Sequence, residues 1–191
     1  MILTLETADE GAFLAADDVI DHEHPLVRAT AAALREKAAD ATGYARAAFT
    51  FVRDEIPHSR DTGDPRVTCR ASEVLRERTG ICHAKAHALV ALLRAEGIPA
   101  GLCYQRLGVV HGLIALRLPG HGWQRQDPRG NTSGVDARFR LDREQLAFTP
   151  DHRAGEFDFP TLYATPPGAV LDALRRAPDR ARLEAMLPVT L

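Results

Sequence analysis

Residues 79–99 read TGICHAKAHALVALLRAEGIP, and this stretch decides the fold. From Cys82 to Glu96 the positions Cys82, Ala86, Leu89 and Leu93, with Val90 beside them, recur at the i, i+4, i+7 spacing of one helical face. Gly97 stands where a left-handed C-cap belongs, and Pro99 cannot continue a helix. After it the period changes. GLCYQRL (101–107) and VHGLIALRL (110–118) read as strands joined by a turn around Gly108. PGHG (119–122) is a second turn, and 123–127 a third short strand. Upstream, Pro25 opens a helix over 25–39 with Val27, Ala31, Leu34 and Ala38 on one face. Asp40 caps a second helix whose face is Ala45, Phe49, Val52 and Ile56, and Pro57 stops it. The polar stretch 57–70 (PHSRDTGDPRVTCR) predicts a surface loop, and 71–78 a short helix. Later residues are loop-rich, with weaker helical patterns near 142–147, 168–177 and 179–187. Helices first and an antiparallel sheet after them give an α+β class, with the helix of Cys82 packed on the sheet. One domain is expected over 1–191: a core at about 40–150, then a loop and helix extension over 151–191.

Composition excludes several classes of function. The 191 residues carry 24 Lys and Arg against 26 Asp and Glu, a formal charge of −2 without any basic run. A nucleic-acid binder held by phosphate contacts is therefore not expected. No apolar stretch approaches the roughly 18 residues of a membrane span, so no membrane partner is expected either. The first ten residues, MILTLETADE, lack the basic region of an export signal. Three cysteines, Cys69, Cys82 and Cys103, are too few for a disulfide framework and suit reduced thiols in the cytoplasm.

The chemistry centres on Cys82. A thiol at a helix start faces unpaired N–H groups and the positive end of the helix dipole, which favour thiolate over thiol. Gly80 permits a tight entry turn, and the Cys82 N–H is a candidate oxyanion donor. Such a nucleophile needs an imidazole, and the imidazole needs an orienting acceptor. His111 lies inside an apolar strand, an odd place for a polar ring without a partner. Asp127 ends the next strand, kept extended by Pro128. A hairpin through PGHG puts His111 and Asp127 nearly opposite each other. Taken singly, each has a plainer reading: a packed cysteine, a core histidine, a turn-opening aspartate.

The segments ASEVLRERTGICHAKAHALVALLRAEGIPA (71–100), VHGLIAL (110–116) and GWQRQDPRGNT (122–132) together resemble the catalytic core of the transglutaminase-like superfamily of papain-type cysteine enzymes. FVRDEI (51–56) resembles the helix before that core, and GVDARF and EQLAF resemble segments of bacterial cysteine-protease-like members. The resemblance spans roughly residues 40–150. It implies a papain-like fold, Cys82 as nucleophile, His111 as general base and acid, and Asp127 fixing the histidine tautomer, with no cofactor. Two positions depart from the family pattern. His58 stands where an aromatic residue is usual, and Arg129 follows Asp-Pro where Thr is common. Both bear on the second oxyanion donor and the substrate pocket.

Other residues compete for attention. His83 and His87 form an i, i+4 pair, but Ala84 stands where a metalloprotease carries Glu, so no metal is expected and both rings read as half-exposed helix residues. His22 and His24 read as solvated surface at a helix start, and the charges of 172–184 as a solvated helix face. Cys69 and Cys103 read as buried thiols. Trp123 either shields the catalytic ion pair or covers the hairpin. Arg129 either binds a substrate carboxylate or, the favoured reading, holds the Asn131 loop. Two functions follow: acyl transfer or hydrolysis on a peptide, protein or small amide, or a catalytically silent binding module on the same fold.

Overall fold

The computed structural model describes residues 2–191. The first half is helical: β1 (Thr4–Leu5), a 3-10 turn (Glu10–Phe13), α1 (Pro25–Arg35), α2 (Ala41–Glu55), α3 (Ser59–Thr62), α4 (Ala71–Glu77) and α5 (Cys82–Ala95). Then come β2 (Ala100–Leu107), β3 (Val109–Arg117), β4 (Trp123–Gln126), a 3-10 turn (His152–Ala154), β5 (Phe157–Asp158), β6 (Thr161–Leu162), α6 (Gly168–Arg176) and α7 (Arg180–Met186). The main sheet has the antiparallel order β4-β3-β2-β5, and β1 pairs with β6 in a parallel two-stranded sheet.

Local chemistry sets most boundaries. Asp40 accepts the Gly43 N–H at 2.7 Å and opens α2. Pro25 sits at the start of α1, where its missing N–H has no intrahelical partner to lose. At the end of α5, Gly97 takes φ 71°, its N–H reaches Arg94 O, and Ile98 N–H reaches Leu93 O. That pair of bonds is a Schellman stop.

The structure corrects the one-faced reading of α5. Every residue from Cys82 to Arg94 is buried, because the helix is covered by α1, α2 and α4 on one side and by β2 and β3 on the other. Alanines at 84, 86, 88 and 91 let neighbours close in around it. His83 and His87 are consequently buried, not half-exposed. His87 donates Nδ1–H to Cys69 O at 2.8 Å, and burial lowers it to about 4, so the ring is neutral at pH 7. Arg94 spends its guanidinium on the carbonyls of Ala15, Ala100 and Ala164, tying both ends of the chain to the start of β2.

Two further expectations change. Residues 142–147 form no helix. Their polar groups go sideways instead: Glu144 to Arg125, Gln145 to Asp136, and the Ala147 N–H to Asp127. The loop 57–70 contains α3, a single helical turn whose N-cap is His58.

Candidate active site

Cys82 occupies the first position of α5, and its backbone N–H has no partner within the helix. The partner is the His58 ring, whose Nε2 lies 3.1 Å away. His58 is held against this point by a bridge to Gly80, with the Ser59 N–H on Gly80 O at 3.1 Å. The Arg60 N–H meets the other ring nitrogen, Nδ1, at 3.3 Å. A neutral imidazole has one acceptor nitrogen, so the ring satisfies one of these two N–H groups at a time.

His111 approaches from β3. Its Nε2 lies 2.8 Å from Asp127 Oδ2, and both groups are buried. Asp127 also accepts the Ala147 N–H at 3.1 Å and the Arg129 N–H at 3.0 Å, so three donors orient one carboxylate. Asp127 is not directly opposite His111 as expected. The register runs Arg117↔Trp123 to Ile114↔Gln126, and one further step sets Asp127 against Leu113. The contact is therefore diagonal, between residues on the same face of neighbouring strands.

Nε2 of His111 is committed to Asp127, and the ring lines one cleft together with Cys82. Burial opposes both charges. It would raise the Cys82 thiol, but the imidazoles of His83, His111 and His58 around it hold it well below the ordinary thiol value. Burial likewise pushes His111 down, yet Asp127 and the Cys82 thiolate outweigh it and raise the ring to about 10. Both shifts favour the charged forms, thiolate on Cys82 and imidazolium on His111. By contrast, burial pushes Cys69 up to about 11 and raises Cys103 as well.

A cleft of about 500 Å³ opens over this pair. Leu107, Val109, Val110, Phe148 and Leu187 form its apolar wall, and Arg60, Arg129, Glu156 and Glu184 bring charge to its lining. Pro188 O accepts the Val110 N–H at 2.8 Å, which holds the chain after α7 beside the cleft.

The surroundings of the site sort the remaining readings. Trp123 packs on Phe13 at 5.1 Å, away from the cleft, so it covers the hairpin. Phe148 covers the imidazole instead, edge-on to His111 at 5.1 Å. It lies in the EQLAF segment, a signal that could have marked it. Arg129 reaches the Asn131 loop only through Gly130 O, at 3.5 Å. It forms a two-pronged pair with Asp61 at 2.7 and 2.8 Å, joining the loop after Asp127 to the turn that carries His58. Lys85 was missed altogether. It is fully buried, donates to the carbonyls of Arg53 and Ile56, and lies one turn below Cys82. His83 reaches the sulfur and His87 the Cys69 carbonyl, so the two rings of the i, i+4 pair point to different partners.

Residues 28–128 match the sequence model of the Transglutaminase-like superfamily. No curated protein matches the chain. Among solved structures, it is similar to a candidate cysteine protease from Cytophaga hutchinsonii, at 20% identity and TM-score 0.55, over 64% of this chain and 43% of that one. It is also similar to the periplasmic domain of TgpA from Pseudomonas aeruginosa, at 25% identity and TM-score 0.51, over 62% of this chain and 46% of that one. The same domain bound to ethylmercury matches at 23% identity and TM-score 0.51, over 62% and 48%. The chain thus spans less than half the length of these structures, and the likeness is one of fold.

Proposed function

This chain belongs to the transglutaminase-like superfamily, and on that premise we propose that it performs thiol-dependent acyl transfer with Cys82, His111 and Asp127. The observation that carries the reading is the His111 ring, held by Asp127 at 2.8 Å through Nε2 and lining one cleft with Cys82. The Cys82 thiolate attacks the carbonyl carbon of a peptide or carboxamide. The C–S bond forms, the carbonyl π electrons move to oxygen, and the resulting oxyanion needs donors. The Cys82 N–H is one. His58 is the second: the Cys82 N–H rests on its Nε2 at 3.1 Å, and once an oxyanion takes that N–H, a ring with its proton on Nε2 and Nδ1 accepting from Arg60 becomes a donor from the same side. His111 then gives its proton to the leaving nitrogen as the C–N bond breaks, leaving a thioester. Water, deprotonated by His111, attacks the thioester and releases the acid with the thiolate. The apolar wall of the cleft favours an acyl donor with an apolar group beside the reacting carbonyl.

The test is capture of the acyl enzyme. The protein is incubated with a peptide and amide library, quenched in acid, and Cys82 is read by mass spectrometry. An acyl mass on that residue, with loss of turnover in Cys82→Ala, is the expected result. Full turnover of every consumed amide by Cys82→Ala would end the proposal.

A further inference from the structure

The sulfur of Cys82 has a second imidazole neighbour. His83 Nδ1 lies 3.4 Å from Sγ, within hydrogen-bond reach for a sulfur acceptor. His83 lines no part of the cleft; its ring is buried and comes to the sulfur from the protein interior. The surroundings leave it little choice of place. Gly112 of β3 faces it so closely that a Cβ there would stand 3.0 Å from the ring and 3.1 Å from its Cα. Tyr104 of β2 lies beside it, with ring centroids 6.0 Å apart. The far nitrogen, Nε2, is buried and has no hydrogen-bond partner among the described residues. A proton on Nε2 would be an orphaned buried donor, whereas a proton on Nδ1 has the sulfur to receive it.

We propose that His83 is a further catalytic residue, a fixed hydrogen-bond donor whose Nδ1–H holds the Cys82 sulfur as thiolate. The proposal rests on the reading of Cys82 as nucleophile and adds a division of labour to it. His111 moves the proton: it gives one to the leaving nitrogen and takes one from water. His83 keeps its proton throughout. Its hydrogen bond stabilises the thiolate before attack, weakens as the C–S bond forms, and re-forms when that bond breaks and the electron pair returns to sulfur. The electrostatics agree, since His83 is among the groups that hold the thiol low. A donor behind the sulfur leaves the cleft side open to substrate, which a donor on the cleft side would obstruct.

The experiment compares the rate of Cys82 alkylation by iodoacetamide against pH in wild type, His83→Phe and His83→Asn. Phenylalanine keeps a ring between Gly112 and Tyr104 but has no donor; the asparagine amide can place an N–H near the Nδ1 position. In His83→Phe the acid limb is expected to move up by about one pH unit, so that alkylation at pH 6 slows about tenfold, with His83→Asn recovering part of the loss. An unmoved limb in folded His83→Phe, with the wild-type limb depressed, overturns the role of His83 alone. A wild-type limb at the ordinary thiol value overturns the nucleophile reading and this proposal together. Should the variants not fold, 15N-histidine NMR of the wild type decides: the proton of His83 is expected on Nδ1, and a proton found on Nε2 alone refutes the proposal.

Discussion

Replacing Asp127 by Asn tests the buried half of the ion pair. The substitution keeps shape but removes the charge, and one of its two faces becomes an N–H2 group. Three donors converge on the native carboxylate: His111 Nε2–H, Ala147 N–H and Arg129 N–H. An amide oxygen can serve the donors on one face, so at least one N–H is left against another N–H in a site 1% exposed. Leaving one buried donor unsatisfied costs about 1–3 kcal/mol, and the native state should lose about that much in urea melts. The larger effect is electrostatic. Asp127 is the leading influence that raises His111, and loss of an adjacent opposite charge moves a group by about 1–3 pH units. The imidazolium then holds its proton less well, and the thiolate it supports is less populated. In Asp127→Asn the alkaline limb of Cys82-dependent turnover is expected to fall from about 10 toward neutrality. Turnover should drop by about 10²–10⁴, the scale seen when the orienting acid of such a triad is lost. The assay is turnover of a captured substrate from pH 5 to 10, with circular dichroism as the control for folding. A folded Asp127→Asn protein with an unmoved alkaline limb and wild-type turnover would refute the reasoning.

His58→Ala removes the proposed second oxyanion donor and should lower kcat by about 10²–10³ with little change in KM, measured by steady-state kinetics; an unchanged kcat contradicts that role. Lys85 gives a stability test with a definite sign. Burial lowers it to about 7, below its ordinary 10.5, so the unfolded chain binds the extra proton between those values and native stability contributed by this group rises with pH across that window. At about 1.4 kcal/mol per unit the full window is worth at most about 5 kcal/mol. Urea melts of wild type and Lys85→Met at pH 7 and 9.5 should show the difference shifting toward wild type as pH rises, and a pH-independent difference would count against it. Phe148→Ala opens the edge of His111 to water and should weaken the ion pair, seen as slower Cys82 alkylation at pH 6 than in wild type; equal rates would assign Phe148 to packing alone.

What the sequence could disclose follows the range of the forces involved. The ends of α5 and the start of α2 rest on signals carried within a few residues, Gly97 and Asp40, and these are readable directly. The meeting of His111 and Asp127 is also legible, because adjacent strands of one hairpin must bring same-face residues together, though a two-residue offset turned opposition into a diagonal. Burial of His83, Lys85 and His87 is not legible from the periodicity of one helix. It arises because α5 is wrapped by three helices and a sheet, and helices hydrophobic on one stripe look alike whether or not their other side is covered by neighbours. His58 and Phe148 reach the site through loops, whose course depends on distant partners: Arg129 with Asp61 for one, and the Ala147 N–H on Asp127 for the other. The 142–147 segment failed for the same reason, since its polar groups found tertiary partners that outweighed a weak helical pattern.

The claim beneath the whole account is that the sulfur of Cys82 is a thiolate at neutral pH while the two other thiols are not. Substoichiometric iodoacetamide at pH 6, followed by peptide mapping of the native protein, measures it in one experiment. The account predicts that nearly all the label sits on Cys82, with Cys69 and Cys103 unmodified. Label shared evenly among the three, or found mainly on Cys69, would contradict it.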